Sequence, residues 1–240
     1  MERVEREEQH WRAQSGDLEK LWGWGTPAGK ERVNRRCTFF IERGGMRPGL
    51  RALELGCGTG LFLREVAKSG VTLTGCDLMS RFLHGLYEWS RESHVTVERQ
   101  DAHRMSYGSD SFDVVYGSSI LHHLDIGRAI SEIYRVLRPG GRIVFCEPNM
   151  LNPQVFLQKN LPWLKAKMGD SPDETAFVRW RLIRDLRYAG FREVFVRPFD
   201  FLHPLTPRDW ISAVNKVGMV LEKIPIVREM AGSLLITATK

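Results

Sequence analysis

Apolar positions recur along this chain with two periods, and the switching between them predicts its architecture. From residue 51 onward, short apolar runs at 51–55, 71–77, 95–100, 112–117 and 142–147 read as strands, and helix-like stretches near 60–68, 79–91 and 125–137 lie between them. Strands separated by helical crossovers pair in parallel, so the pattern predicts a doubly wound α/β sheet. The clearest helix places Ile126, Ile130, Ile133 and Leu137 on one face and is stopped by Arg138-Pro139-Gly140-Gly141.

The flanks carry other signals. Ser171, Pro172 and Glu174 have the spacing of a helix start with a capping box, and Gly190 is placed as its stop, with Phe177, Trp180 and Ile183 pointing inward. Residues 148–171, with Asn149, Asn152, Pro153, Asn160 and Pro162 among apolar side chains, predict a partly helical insertion. A second insertion is expected at 203–230, where Thr206-Pro207 precedes a helical pattern of Trp210, Val214, Val217 and Leu221, and 233–239 reads as a last strand. Residues 1–45 lack strand signals and are expected to form a helical cap over the sheet edge or the mouth of a site, with the main domain spanning 46–240.

Composition narrows the class. With 240 residues and 42% hydrophobic side chains, the chain can bury a sizeable core. The charged start and the lack of a long apolar run predict a soluble, cytoplasmic protein without a signal peptide or membrane span. Cys37, Cys57, Cys76 and Cys146 are scattered singly, which argues against a zinc knuckle or redox pair. Only His122 and His123 lie close together, and since neighbours in sequence seldom share one ion, no metal site is expected. Of the net charge of +6, residues 1–150 hold +1 (21 basic, 20 acidic) and residues 151–240 hold +5 (14 basic, 9 acidic). Solvated surface is the plain reading of that asymmetry; an anionic substrate, nucleic acid or membrane surface is the alternative.

The chemistry centres on Glu54-Leu55-Gly56-Cys57-Gly58-Thr59-Gly60, a glycine loop between a strand and a helix, where an open parallel sheet places its ligand. A dinucleotide fingerprint fails, because Leu61 and Leu63 stand where the third glycine is needed, and no lysine follows to make a phosphate loop. Asp77 closes the second strand, with Leu78 beside it; Asp101-Ala102 follows the third; Gly117-Ser118 ends the fourth. Carboxylates without lysines suit a ligand with hydroxyls and cationic centres rather than phosphates.

Over about residues 50–148 this order of motifs resembles the class I S-adenosylmethionine-dependent methyltransferases, small-molecule type, through E-x-G-x-G-x-G at Glu54–Gly60, Asp77, Asp101-Ala102 and the Arg135–Gly141 lead into the fifth strand. The resemblance implies a Rossmann-like, seven-stranded, mostly parallel sheet with helices on both faces. It also implies S-adenosylmethionine as methyl donor, S-adenosylhomocysteine as product, and a cofactor site of Glu54, Gly56, Cys57, Gly58, Thr59, Gly60, Asp77, Leu78, Asp101, Ala102 and Ser118. Asp77 would take both ribose hydroxyls, Asp101 and the Ala102 amide the adenine, and Glu54 would orient the loop or reach the ligand's ammonium group.

A hydroxyl acceptor would need its proton removed, for which His122 or His123 is the candidate, with helix capping as the alternative for either. A nucleic-acid amino-methyltransferase would carry Asn/Asp-Pro-Pro-aromatic after the fourth strand; Gly117-Ser118-Ser119-Ile120 is not that, so a small-molecule acceptor (O, N or C nucleophile) is expected. RNA methylation through another arrangement and a non-catalytic, cofactor-binding regulatory module are the competing readings. Trp22, Trp24, Phe156, Trp163, Phe199, Phe201, His203 and Trp210 are candidates for an acceptor wall, with Arg179, Arg181 or Arg184 for an anionic group. The 153–168 segment is expected to be a lid, or else to touch a membrane or a lipid-like substrate.

Overall fold

The computed structural model describes residues 3–14 and 16–240. Three helices lead in, α1 (Arg3–Ala13), α2 (Leu18–Leu21) and α3 (Pro27–Gly44), followed by β1 (Arg51–Leu55), α4 (Leu61–Ala67) and β2 (Thr72–Asp77). The chain continues through α5 (Ser80–His84), α6 (Tyr87–Ser93), β3 (Thr96–Arg99), β4 (Phe112–Ser118) and a 3-10 turn at Leu121–His123. Then come α7 (Ile126–Val136), β5 (Leu137–Pro148), α8 (Pro153–Asn160), α9 (Pro162–Lys167), α10 (Arg179–Tyr188), β6 (Arg192–Phe199), α11 (Ile211–Leu221), α12 (Pro225–Arg228) and β7 (Ser233–Thr239).

The strands form one sheet in the order β3-β2-β1-β4-β5-β7-β6. β1 through β5 pair in parallel and β7 runs antiparallel between β5 and β6. Strand alternation sorts side chains to two cores: Ala52, Val114 and Tyr116 join α3 and α4 on one face, and Leu53, Val115 and Ile143 join α7 and α10 on the other. The order reverses at β1 and β4, so the crevice beyond their carboxyl ends is the switch point where such sheets hold ligands.

Several expectations meet a different outcome. The stretch near 79–91 is two short helices, and α10 starts at Arg179 rather than at Ser171. Ser171 and Glu174 do close on each other, Ser171 N donating to Glu174 Oε2 at 3.0 Å, but as an isolated turn. Phe177 bridges Asn149 beside the end of β5, which holds residues 174–178 extended. Trp180 consequently faces solvent, while Phe177 and Ile183 pack on the second core. Trp210, a candidate for the acceptor wall, is 65% exposed. Among the described residues no helix is long and apolar enough to cross a membrane.

Candidate active site

A cavity of about 560 Å³ opens over the carboxyl ends of β1, β2 and β4. Its floor is the glycine loop. Cys57 N donates to Cys76 O at 2.9 Å, continuing the β1–β2 pairing into the loop, and Gly58 N donates to Asp77 Oδ2 at 2.9 Å. Gly58 has φ of 50° with its missing Cβ toward the Trp22 ring, whose nearest atom would lie 3.7 Å from an added Cβ, whereas Gly60 (φ 82°) leaves room for Leu86, whose Cδ2 would lie 2.3 Å from an added Cβ. One glycine therefore makes the left-handed turn beneath Trp22 and the other lets α4 sit close to its neighbours.

Of the residues the sequence singles out, Gly56, Cys57, Gly58, Thr59, Asp77, Leu78, Asp101, Ala102, Ser118, His122 and His123 all line this cavity. Glu54 and Gly60 do not. Glu54 is buried under the loop with Tyr116 Oη donating to its Oε2 at 2.7 Å, and burial pushes its carboxyl up to about 8, with the Tyr116 bond opposing the shift. It braces the loop from beneath rather than reaching into the cavity.

Asp77 takes one backbone N–H on each oxygen, from Gly58 at 2.9 Å and Met79 at 2.8 Å. A carboxylate has about four lone-pair sites, so two remain for hydroxyl donors in the cavity. Desolvation raises its pKa against the pull of those two N–H groups. Asp101 Oδ1 accepts from His103 N at 2.9 Å and lies 2.7 Å from His103 Nδ1. Because Asp125 N donates to His103 Nε2 at 2.9 Å, the imidazole proton sits on Nδ1 and points at Asp101. His103 thus ties the end of β3 to the start of α7. Ser118 Oγ is buried with no hydrogen-bond partner, and Ser119 is held at φ 56° beside it. An orphaned hydroxyl and a strained residue on one cavity wall mark a place built for a ligand. Two free-sided carboxylates and a loop without lysine fit a polyhydroxylated, cationic, phosphate-free group such as S-adenosylmethionine.

The opposite wall comes from distant segments. Trp11 of α1 meets Trp22, Phe82 and His123 edge-on at ring distances of 5.7, 6.3 and 5.9 Å. Trp24 lies under both Arg32 and Arg36, each 5.0 Å from its ring. The two guanidiniums converge on Asp200 Oδ2 at 2.8 and 3.0 Å, and Arg36 also reaches Ser233 Oγ at 2.8 Å. Burial would raise the Asp200 carboxyl, but Arg36 and Arg32 hold it below its ordinary value. Trp22, Trp24, Phe201 and His203 line the cavity as expected; Phe156, Trp163, Phe199 and Trp210 do not, and neither do Arg179, Arg181 and Arg184.

At one end stands a polar cluster. Glu147, at the end of β5, accepts Ile120 N at 3.0 Å and Leu121 N at 2.9 Å on Oε1, fixing the 3-10 turn. Its Oε2 lies 2.6 Å from His122 Nδ1, and His122 Nε2 lies 3.3 Å from Glu174 Oε1. Burial would lower the His122 pKa, yet Glu147 and Glu174 push it up to about 9. Both of its ring nitrogens are engaged by carboxylates, so in this arrangement it is not the free base the sequence suggested. His123 Nδ1 lies 3.3 Å from Glu7 Oε2, and Lys159 pairs with Glu174 and, at 2.8 Å, with Asp170.

Sequence reasoning missed Glu7, Trp11, Arg32, Arg36, Lys159 and Glu174. The signal for Glu147 was present: an acid closing an apolar strand at the same sheet edge as Asp77. The signal at Glu174 misled, because S-x-x-E spacing is also that of a cap.

A family model described as a methyltransferase domain matches residues 53–145. The demethylmenaquinone methyltransferase of Mycobacterium marinum is 38% identical over 158 residues, covering 62% of this chain and 66% of that protein. The demethylmenaquinone methyltransferase of Thermobifida fusca is 29% identical over 197 residues, 72% of this chain and 81% of that one. The crystal structure of the [4+2]-cyclase SpnF superposes with a TM-score of 0.64 at 23% identity, over 86% of this chain and 80% of the cyclase, and so shares the fold. Matched motif, matched sheet order and a cavity whose donors suit the methyl donor agree: the chain belongs to the class I S-adenosylmethionine-dependent methyltransferases.

Proposed function

We propose that this enzyme methylates a small, ring-bearing, largely apolar acceptor. The observation that carries the proposal is the aromatic wall of Trp11, Trp22, Trp24 and Phe82 lining the cavity beside the glycine loop. Flat aromatic faces select flat apolar ligands by contact area. The relatives named as demethylmenaquinone methyltransferases support a quinol-like ring in that place.

In this reading Gly56–Thr59, Asp77, Leu78, Asp101, Ala102 and Ser118 hold S-adenosylmethionine, which when bound supplies a methyl group already activated by its sulfonium. The protein's remaining task is to set the acceptor in line and keep water out. α1 and α8 roof the cavity: Arg3 donates to His122 O at 2.8 Å, Ser171 Oγ donates to Glu7, and Gln154 and Lys159 face inward from α8. Glu147 and Glu174 fix His122, leaving His123 to meet an acceptor oxygen. Arg32, beside Asp200 at the far end, suits a polar substituent on the ring.

The acceptor's source follows from the outer surface. Phe156, Leu157 and Trp163 on α8 and α9, and Val217, Val220 and Ile226 on α11 and α12, are exposed, with exposed Lys167, Lys216 and Lys223 on or next to the same helices. Apolar side chains with lysines around them suit peripheral contact with an anionic lipid surface, from which an apolar ring can be taken up. Four free, buried cysteines support a reducing compartment, the cytoplasm.

The test offers purified enzyme and labelled S-adenosylmethionine three acceptors: a reduced naphthoquinol, a phosphorylated amine and bulk RNA. Methyl transfer to the quinol alone is expected. Transfer to RNA, or to the amine in preference to the ring, would refute the proposal.

A further inference from the structure

The cluster at the end of the cavity brings together side chains from two segments some fifty residues apart in the sequence. His122 turns Nε2 into it, His123 turns Nδ1 into it, and Glu174 offers a carboxylate oxygen. Nε2 of His122 lies 3.3 Å from Glu174 Oε1, and Nδ1 of His123 lies 3.9 Å from Glu174 Oε2. Ligands about 2.0–2.1 Å from one tetrahedral ion stand roughly 3.4 Å apart, so these three side chains, whose ligand atoms lie within 4.8 Å of one another, need draw in only slightly to share an ion. His123 Nδ1 is buried and makes no hydrogen bond.

From this geometry we propose that His122, His123 and Glu174 form a binding site for one divalent first-row transition metal. Two imidazoles and a carboxylate select zinc, iron, cobalt or manganese over magnesium or calcium, which prefer all-oxygen sets. Adjacent histidines seldom share an ion, but here the 3-10 turn makes it feasible. The rings lie 4.2 Å apart at 37°, and the two residues present different nitrogens because Glu147 takes Nδ1 of His122.

The surroundings are those of a metal site. Ligating histidines almost always direct their second nitrogen to a carboxylate or carbonyl, as His122 does to Glu147 at 2.6 Å. Glu174 is oriented by Ser171 N at 3.0 Å. Glu7, 3.3 Å from His123 Nδ1, supplies a fourth ligand or closes the site from α1. The three ligands line the cavity, so the ion's open position faces the acceptor. Without an ion, Lys159 is the cation that pairs with Glu174. An ion here would hold an acceptor oxygen and stabilise its negative charge. The inference rests on reading this cavity end as the acceptor side, but its test needs no acceptor.

Full-length protein stripped with a chelator is titrated with cobalt(II), following visible d–d absorption, then with zinc(II) in competition. One equivalent of cobalt is expected to give bands that zinc abolishes, with a rise in Tm as metal is added. Glu147→Gln is expected to weaken cobalt binding about 10- to 100-fold. His123→Ala and Glu174→Gln should abolish the bands, with near-UV circular dichroism showing that each variant is folded. Lys159→Met, which frees Glu174 from its ammonium, should tighten binding. Absence of bands in the wild type, or undiminished bands in both His123→Ala and Glu174→Gln, would overturn the site. Metal binding without turnover of any ring acceptor would instead fault the acceptor reading alone.

Discussion

Between residues 51 and 148 the cavity is made of strand ends and the turns that follow them; elsewhere it is made of segments far apart in sequence. Asp77 bonds to Gly58 and Met79, and Asp101 to His103, so the cofactor side is assembled from neighbours along the chain or across adjoining strands. The acceptor side joins α1 to residue 171, α3 to residues 200 and 233, and β4's following turn to residue 174. Local assembly leaves a motif, because each residue must hold a fixed offset from a strand end. Assembly from remote segments leaves none, since any helix delivered to that place can supply the group.

The contrast can be broken at its most buried joint. Asp200→Ala leaves Arg32 and Arg36 facing each other in the interior and should cost about 3–5 kcal/mol of stability by urea denaturation. If S-adenosylmethionine still binds the folded variant with near wild-type affinity, the two halves are energetically separate. Asp77→Ala works from the other side. Calorimetry should show affinity for S-adenosylmethionine reduced by about 1.5–3 kcal/mol, with NADPH not binding either protein; unchanged affinity would remove Asp77 from the cofactor site.

A smaller effect reports on Glu54. Its folded pKa is raised to about 8 from 4.5 by burial, so the folded state keeps a proton that the unfolded state loses. The stability this contributes is fully present below pH 4.5 and is lost as pH rises through 8. Glu54→Gln should flatten the fall in stability between those values, and an unchanged slope would mean that the carboxyl is ionised in the fold. Smallest in energy is the double change Phe156→Ser and Trp163→Ser, expected to alter stability by less than about 0.5 kcal/mol. Sedimentation with anionic vesicles should nonetheless drop; equal sedimentation would detach the lid surface from any lipid role.

Where expectation and structure part, the cause is competition for one side chain. Glu174 has the spacing of a helix cap, but His122 and Lys159 engage Oε1 while Ser171 keeps Oε2. Trp180 has the spacing to point inward with Phe177 and Ile183, yet α10 turns it to solvent. Glu54 belongs to the motif and stands outside the cavity, because β1 directs it beneath the loop, toward Tyr116.

The sequence alone determined the sheet, its crossovers and the loop with its carboxylates, because period, glycine conformation and strand-end position act over a few residues. Only the tertiary structure decided which helices roof the cavity, that His122 is locked between two acids, and that His123 and Glu174 meet beside it. Those outcomes depend on contacts between segments more than a hundred residues apart, or on charges that exist as neighbours only after folding, and no local pattern encodes either.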